Sequence, residues 1–215
     1  MLFHDRADAG KQLANALLAY KDKPNTLILA LPRGGVPVAY EIAQALHLPL
    51  DLMVVRKLGM PGHEELAMGA IADGNVQVLN TDIVQSFSIS SSVIDKVAAA
   101  EKTELLRRGK AYRQGKLPLA LEGKTVILVD DGCATGANMH AAVRAASVQH
   151  AGLIVVAVPV ASDSACATLQ QEADEVICLN MPEPFFGVGQ FYRDFSQTND
   201  AEVIALLKQA DTQKA

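Results

Sequence analysis

Residues 126–137 read VILVDDGCATGA, and the order of residue types in that stretch decides the fold. Val126, Ile127, Leu128 and Val129 form a continuous apolar run, the pattern of a strand covered on both faces. Asp130 and Asp131 follow at once. Gly132, Cys133, Ala134, Thr135 and Gly136 make a small-residue turn, and a helical period opens at Ala137 and continues to His150. Strand, turn and helix in that order are one unit of a parallel α/β sheet, whose ligands sit beyond the carboxyl ends of the strands. The two acids therefore fall on the ligand edge. Adjacent carboxylates repel each other, and a single Asp would be enough to cap the helix. The pair is expected to hold something: ribose-type hydroxyls, a hydrated Mg2+ or developing positive charge. The turn behind it suits an anion. Small residues let backbone N–H groups converge, the helix start adds free N–H groups and a positive dipole end, and Thr135 adds a hydroxyl. A phosphate beside a polyol is a phosphorylated sugar.

The same alternation extends through the chain. Residues 26–31 (TLILAL), 50–56 (LDLMVVR), 67–72, 76–79, 153–158 and 176–179 read as strands. Residues 7–21, 34–46, 93–114, 164–172 and 199–208 read as helices, and 57–66 as a polar loop containing Gly59, Pro61 and Gly62. The expectation is a doubly wound α/β fold, with a parallel sheet and helices on both faces, forming a single domain over 1–215. No internal repeat or low-complexity segment divides it.

Composition narrows the function classes. With 50% hydrophobic and 20% charged residues the 215-residue chain reads as globular. A net charge of −5 and a pI near 5.5 argue against a nucleic-acid or membrane-surface partner. The N-terminal MLFHDRADAG has no apolar core of a secretory signal, and the apolar run 153–161 is too short to span a bilayer. Cys133, Cys166 and Cys178 are odd in number and fit no zinc spacing, so a reduced, cytoplasmic setting is expected. The GxxxxGK[ST] turn of nucleotide-hydrolysing P-loops is absent.

VILVDDGCATGAN resembles the phosphoribosyl-pyrophosphate (PRPP) signature of type I phosphoribosyltransferases. LALPRGGVPVAYEIA (29–43), VVRKLGMPGHEELAMGAI (54–71) and EPFFGVGQFYRDFSQTND (183–200) are similar, in the same order, to a bacterial and archaeal subgroup of that family. The resemblance implies a Mg2+-dependent transferase. It moves the phosphoribosyl group of PRPP to a nitrogenous base, or the reverse, with pyrophosphate as the leaving group. It assigns the 5′-phosphate to the 132–137 turn, the ribose hydroxyls to Asp130 and Asp131, with Mg2+ near the same two acids through water or those hydroxyls. Pyrophosphate goes to Arg33, Gly34 and Gly35, where glycines permit unusual backbone angles and close anion approach. Arg56 and Lys57 open a flexible loop that closes over the substrate, with Glu64 and Glu65 orienting the two cations. A small hood at about 181–198 receives the base, with Phe191 and Tyr192 as stacking rings. The chain departs from the wider family at Gly132 and Cys133, where branched or aliphatic residues are common, and at Asn138, where a Ser or Thr often holds the phosphate. His63 reads as a solvent-exposed bystander, His140 as structural and Cys133 as a small filler.

Two rivals stand beside the transferase. A PRPP- or nucleotide-sensing regulator on the same fold should carry a basic face or an added DNA-binding domain, and neither is evident. A phosphohydrolase or nucleosidase acting on phosphorylated ribose would need neither a pyrophosphate loop nor a closing loop. The acceptor base stays unnamed at this level, and a homodimer stays open.

Overall fold

The computed structural model describes residues 2–212, apart from the side chain of Glu65. Helix α1 (Arg6–Ala16) starts at Asp5, whose carboxylate accepts the Asp8 N–H at 2.8 Å. A short 3-10 turn (Leu18–Tyr20) leads to β1 (Thr26–Ala30), α2 (Gly35–Leu46) and β2 (Leu50–Leu52). The chain then builds β3 (Val55–Met60), β4 (His63–Ala72) and β5 (Val76–Leu79), followed by α3 (Thr81–Ser86) and the long α4 (Ser91–Arg113). Next come β6 (Thr125–Val129), α5 (Ala137–Val148), β7 (Leu153–Val160), α6 (Asp163–Leu169) and β8 (Glu175–Asn180). A second 3-10 turn (Val188–Phe191) and α7 (Asp200–Thr212) end it.

β2, β1, β6, β7 and β8 form, in that spatial order, a five-stranded sheet in which every pair is parallel. The doubly wound α/β expectation holds, and side-chain alternation explains the layers. Ile28, Ala30, Ile127, Val129, Val155 and Ala157 point to one core, which they share with α1, α2 and α7. Leu27, Leu29, Val126, Leu128, Ile154, Val156 and Val158 point to the other, under α5 and α6. Each fully covered Leu, Ile or Val contributes roughly 1.5–3 kcal/mol relative to exposure. The chain adds β2 on one side of β1 and then returns to place β6 on the other. The crevice between the carboxyl ends of β1 and β6 is therefore the topological switch point, where this class of sheet binds ligands.

Two expectations change. Residues 50–56 are not one strand: β2 ends at Leu52, the Met53 N–H reaches back to Ala30 O at 2.9 Å, and β3 leaves to join a separate three-stranded sheet, β3-β4-β5. An apolar run cannot signal a change of partner, because both halves are covered. Residues 57–66 are also not a loop. β3 and β4 form an antiparallel hairpin turned at Pro61-Gly62, with irregular register at Leu58–Met60. Gly62 has φ +82°, the value that a type II turn takes at its second central position, with Pro61 suited to the first. Short α3 was not foreseen. Its signal is Asn80, whose side chain accepts the Ile83 N–H. Among the described residues no helix is long and apolar enough to cross a membrane.

A covered guanidinium fixes the junction between the two sheets. Arg113, at the end of α4, donates to Asp51 Oδ1 (2.8 Å), Leu52 O (2.8 Å) and Asp73 Oδ2 (2.7 Å). Asp51 also accepts the N–H groups of Leu52 and Leu119, and Asp73 that of Val54. Arg113→Leu leaves two shielded carboxylates without their cation. We expect it to lower unfolding free energy by about 3–5 kcal/mol, read from urea denaturation at neutral pH.

Candidate functional site

β1 and β6 are neighbours in register, Ala30 opposite Val129, and the Leu31 N–H bonds to Val129 O at 2.8 Å. The turns that leave the two strands, Pro32–Gly35 and Asp130–Gly136, are thereby set side by side. A Cβ built on Gly34 would lie 2.0 Å from Asp131 Oδ2. One on Gly35 would lie 2.6 Å from Val129 O and 2.9 Å from the Cα of Asp130. These glycines are required for close approach and not for unusual angles: Gly34 sits at φ −61°, ψ −33°, open to any residue. The left-handed position is Gly136, φ +73°, which caps α5.

A cleft of about 470 Å³ opens here, walled by Lys57, Asp130, Asp131, the 132–139 turn and Val188. The turn is braced from β7. Cys133 donates its N–H to Val160 O and accepts from the Ser162 N–H, while the Ser162 hydroxyl donates to Ala134 O at 2.6 Å. Cys133 is therefore a filler whose N–H is taken, and that donor is lost from the anion nest. Burial and the nearby carboxylates push its thiol well above the usual range. Of the first-turn N–H groups of α5, that of Ala137 donates to Thr135 Oγ1 at 3.4 Å, which leaves those of Asn138 and Met139 where an anion would sit, with Thr135 and Asn138 in the exposed wall. The His140 ring lies with Nδ1 2.9 Å from Glu172 Oε2.

The acid pair is partly shielded from water. Desolvation, then the charge of Asp131, push the Asp130 carboxyl well above its ordinary value. Desolvation also raises Asp131, while the Arg6 guanidinium pulls it back. Arg6 is the residue the sequence did not reveal: its Nε donates to Asp131 Oδ2 at 2.8 Å across 125 positions. No local pattern announces such a contact.

The expected cations separate. Arg56 and Lys57 are consecutive on β3, so their side chains leave opposite faces. Lys57 lines the cleft; Arg56 instead donates to Glu101 of α4 at 2.7 Å. Arg33 lies outside the cleft wall, with Nη1 3.5 Å from Asp200 Oδ1. Glu64 accepts the Gly62 N–H within the hairpin turn, and the side chain of Glu65 lies outside the described residues. His63 is exposed, as foreseen.

The segment after β8 also differs from expectation. Tyr192 is 6% exposed, its ring against Phe3 and Phe195, and its hydroxyl donates to Asp131 O at 2.6 Å. It is a strut under the acid pair and offers no free stacking face. Phe191 is half-buried against Phe185. The side chain that this segment brings into the cleft wall is Val188, with methyl groups 2.6 and 2.9 Å from where a Gly132 Cβ would be. That close approach explains glycine at 132.

A parallel sheet with an acid pair and a glycine turn meeting at its switch point defines a class of α/β proteins that bind phosphorylated ligands. A phosphoribosyl transferase domain matches residues 3–196, and the chain belongs to that family. A Mycobacterium tuberculosis protein with a provisional phosphoribosyl transferase name is 47% identical over 97% of this chain. The chain spans about half the length of the curated relatives it matches, 47% of that protein. TT1426 of Thermus thermophilus, known from a crystal structure, is 40% identical with a TM-score of 0.87, covering 97% of this chain and 99% of its own. A Neisseria gonorrhoeae protein solved with bound ppGpp shares the fold at 15% identity and TM-score 0.53, covering 97% and 96%.

Gly34→Ala drives a methyl into the Asp131 carboxylate. The expected loss is about 1–3 kcal/mol of stability by urea denaturation, against less than about 0.5 for Gly187→Ala, whose Cβ would meet nothing within 4 Å. Asp130→Asn has the opposite sign. Because folding raises the Asp130 carboxyl above its ordinary 3.8, the folded state binds the proton more tightly, and stability falls as pH rises through that window. The Asn variant should melt higher than the parent at neutral pH. The gap should close below pH 3.8, where the parent is protonated folded or unfolded; melting curves of both proteins across pH check it.

Proposed function

We propose that the chain is a Mg2+-dependent phosphoribosyltransferase domain that binds PRPP at the β1–β6 crevice and transfers its phosphoribosyl group to a nitrogenous base, releasing pyrophosphate. The observation that carries this reading is the contact of Gly34 and Gly35 with Asp131 and Asp130. It sets a turn suited to pyrophosphate beside a polyol-binding acid pair, with an anion nest at the start of α5 on the pair's other flank. One small ligand with a phosphate at each end and hydroxyls between them fits that order of groups.

In this reading the 132–137 turn holds the 5′-phosphate through backbone N–H groups, with Cys133 bracing the turn from β7 and Asn138 giving an amide in place of a hydroxyl. Asp130 and Asp131 accept from the ribose hydroxyls. The bond between C1′ and the pyrophosphate oxygen breaks as a ring nitrogen of the base attacks, through an oxocarbenium-like transition state. The negative field of the acid pair stabilises the positive charge that grows on the sugar, and Lys57 faces the departing pyrophosphate from the hairpin. Holding the sugar between two fixed turns supplies orientation. Val188 and Phe191 border the acceptor. Arg33, in the turn after β1, reaches the pyrophosphate by leaving Asp200, and Arg56, on the hairpin, by leaving Glu101, which ties only the part of Arg56 to hairpin closure.

Among the described residues no group of three or more His, Cys, Asp or Glu could hold a metal. The set does fit Mg2+, which is typically bound by substrate phosphates, water and one or two carboxylates, here Asp130 and Asp131. Bound there it supplies positive charge against the pyrophosphate.

The test is melting with and without millimolar Mg2+–PRPP. At a hundred times its dissociation constant the ligand should add about 2.7 kcal/mol of stability, more with Mg2+ than without. Asp130→Asn combined with Asp131→Asn should abolish that increment in a protein that still folds. An unchanged melting point for the parent at millimolar ligand removes the reading.

A further inference from the structure

The N-terminal arm is joined to the segment after β8. Phe3 is fully buried; its N–H donates to Phe191 O at 2.8 Å, its carbonyl accepts from the Arg193 N–H at 2.9 Å, and His4 O accepts from the Asp194 N–H. Three residues later Arg6 makes three contacts at once. Its Nε donates to Asp131 Oδ2 at 2.8 Å, its Nη1 donates to Ser196 O at 2.7 Å, and its guanidinium lies 4.0 Å over the Phe195 ring. The two charged side chains are 11% and 14% exposed. A shielded ion pair of this kind roughly breaks even against an apolar pair of the same shape, so stability alone does not account for it. Its geometric effect is definite. One oxygen of Asp131 is committed to Arg6, so the carboxylate cannot turn, while Tyr192 holds the carbonyl of the same residue from below.

We infer that the arm belongs to the ligand site, with Arg6 a positioning residue that fixes the Asp131 carboxylate for the ribose hydroxyls. This rests on the phosphoribosyltransferase reading and adds a residue to its site. A guanidinium is needed because a planar fork reaches Asp131 and Ser196 together, which a lysine ammonium at the end of a flexible stem cannot do. Arg6 is not expected to touch the substrate; its effect passes through Asp131.

Calorimetric titration of the parent, Arg6→Gln, Asp131→Asn and the double variant with Mg2+–PRPP, and separately with pyrophosphate in the absence of Mg2+, tests it. Arg6→Gln should weaken PRPP binding about tenfold or more and leave metal-free pyrophosphate within about twofold, because pyrophosphate without Mg2+ brings neither a ribose nor a metal for Asp131 to hold. The double variant should bind PRPP no worse than Asp131→Asn alone, the non-additivity of two residues acting as one unit. Arg6→Lys should restore only part of the affinity. If Arg6→Gln does not fold, Arg6→Lys with Asp131→Asn takes its place in the cycle. Equal loss of both ligands would make Arg6 merely structural, and additive losses or unchanged PRPP affinity would also overturn the inference. If the parent binds PRPP and the Arg6 variant binds it equally, only this inference fails. If the parent binds no PRPP, the phosphoribosyltransferase reading falls and this one with it.

Discussion

Two carboxylates held side by side, partly shielded from water, at the end of β6 are the constraint around which the rest of the molecule is arranged. Like charges about 4 Å apart repel by roughly 4 kcal/mol at the effective dielectric of a protein near its surface, and desolvation adds to that. The chain offsets the repulsion from a distance. Arg6 brings a cation from the other end of the sequence, and Phe195 and Ser196 hold the guanidinium in place. Tyr192 supports the backbone from beneath, and Gly34 and Gly35 give up their side chains so that a second turn can lie against the acids. One cation against two acids leaves a site that favours hydroxyl donors and growing positive charge.

The sheet makes this arrangement reachable. Parallel neighbours stand about 4.8 Å apart, so turns leaving β1 and β6 at the same level fall within reach of one small ligand. Register does the rest: with Ala30 opposite Val129, the residues after each strand meet at equal height. A slip of one residue would reverse which strand side chains enter which core, and the alternation of Ile127 and Val129 against Val126 and Leu128 forbids it. The same hydrophobic pattern that builds the layers therefore sets the spacing of the site.

That coupling explains what the sequence disclosed. Strands, helices, the acid pair and the glycine turn all carry local signatures: apolar runs, period, and small residues at strand ends. What stayed hidden depends on contacts between distant segments or on the choice of partner strand. Residues 50–56 gave no sign of dividing between two sheets, since Leu50–Leu52 and Met53–Val54 are equally covered. Arg56 and Lys57 read as a pair because they are adjacent, yet strand geometry sends them apart. Tyr192 and Phe191 read as equivalent rings, whereas one is a strut and the other is half-exposed. Arg6 had no signature at all, being an ordinary first-turn residue of an amphipathic helix whose role is set by Asp131.

The hairpin of β3 and β4 changes the energetics expected of a closing element. A disordered loop that folds over a ligand loses about 1–2 kcal/mol of backbone entropy for each residue it orders, and binding energy must cover that loss. Residues 55–72 are already paired strands with Pro61-Gly62 at the turn, and Leu58, Met68 and Ile71 are anchored in the main core. Most of that entropy has been lost in folding. Movement here would be displacement of a preformed flap about its attachment at Arg113, Asp51 and Asp73, and not the ordering of a loop. In such a flap the direction of each side chain is decided beforehand. Lys57 lines the cleft, whereas Arg56 is turned to Glu101 of α4. Strand geometry thus sends the two adjacent cations to different surfaces, one to the cleft and one to α4, a separation that a flexible loop could not enforce.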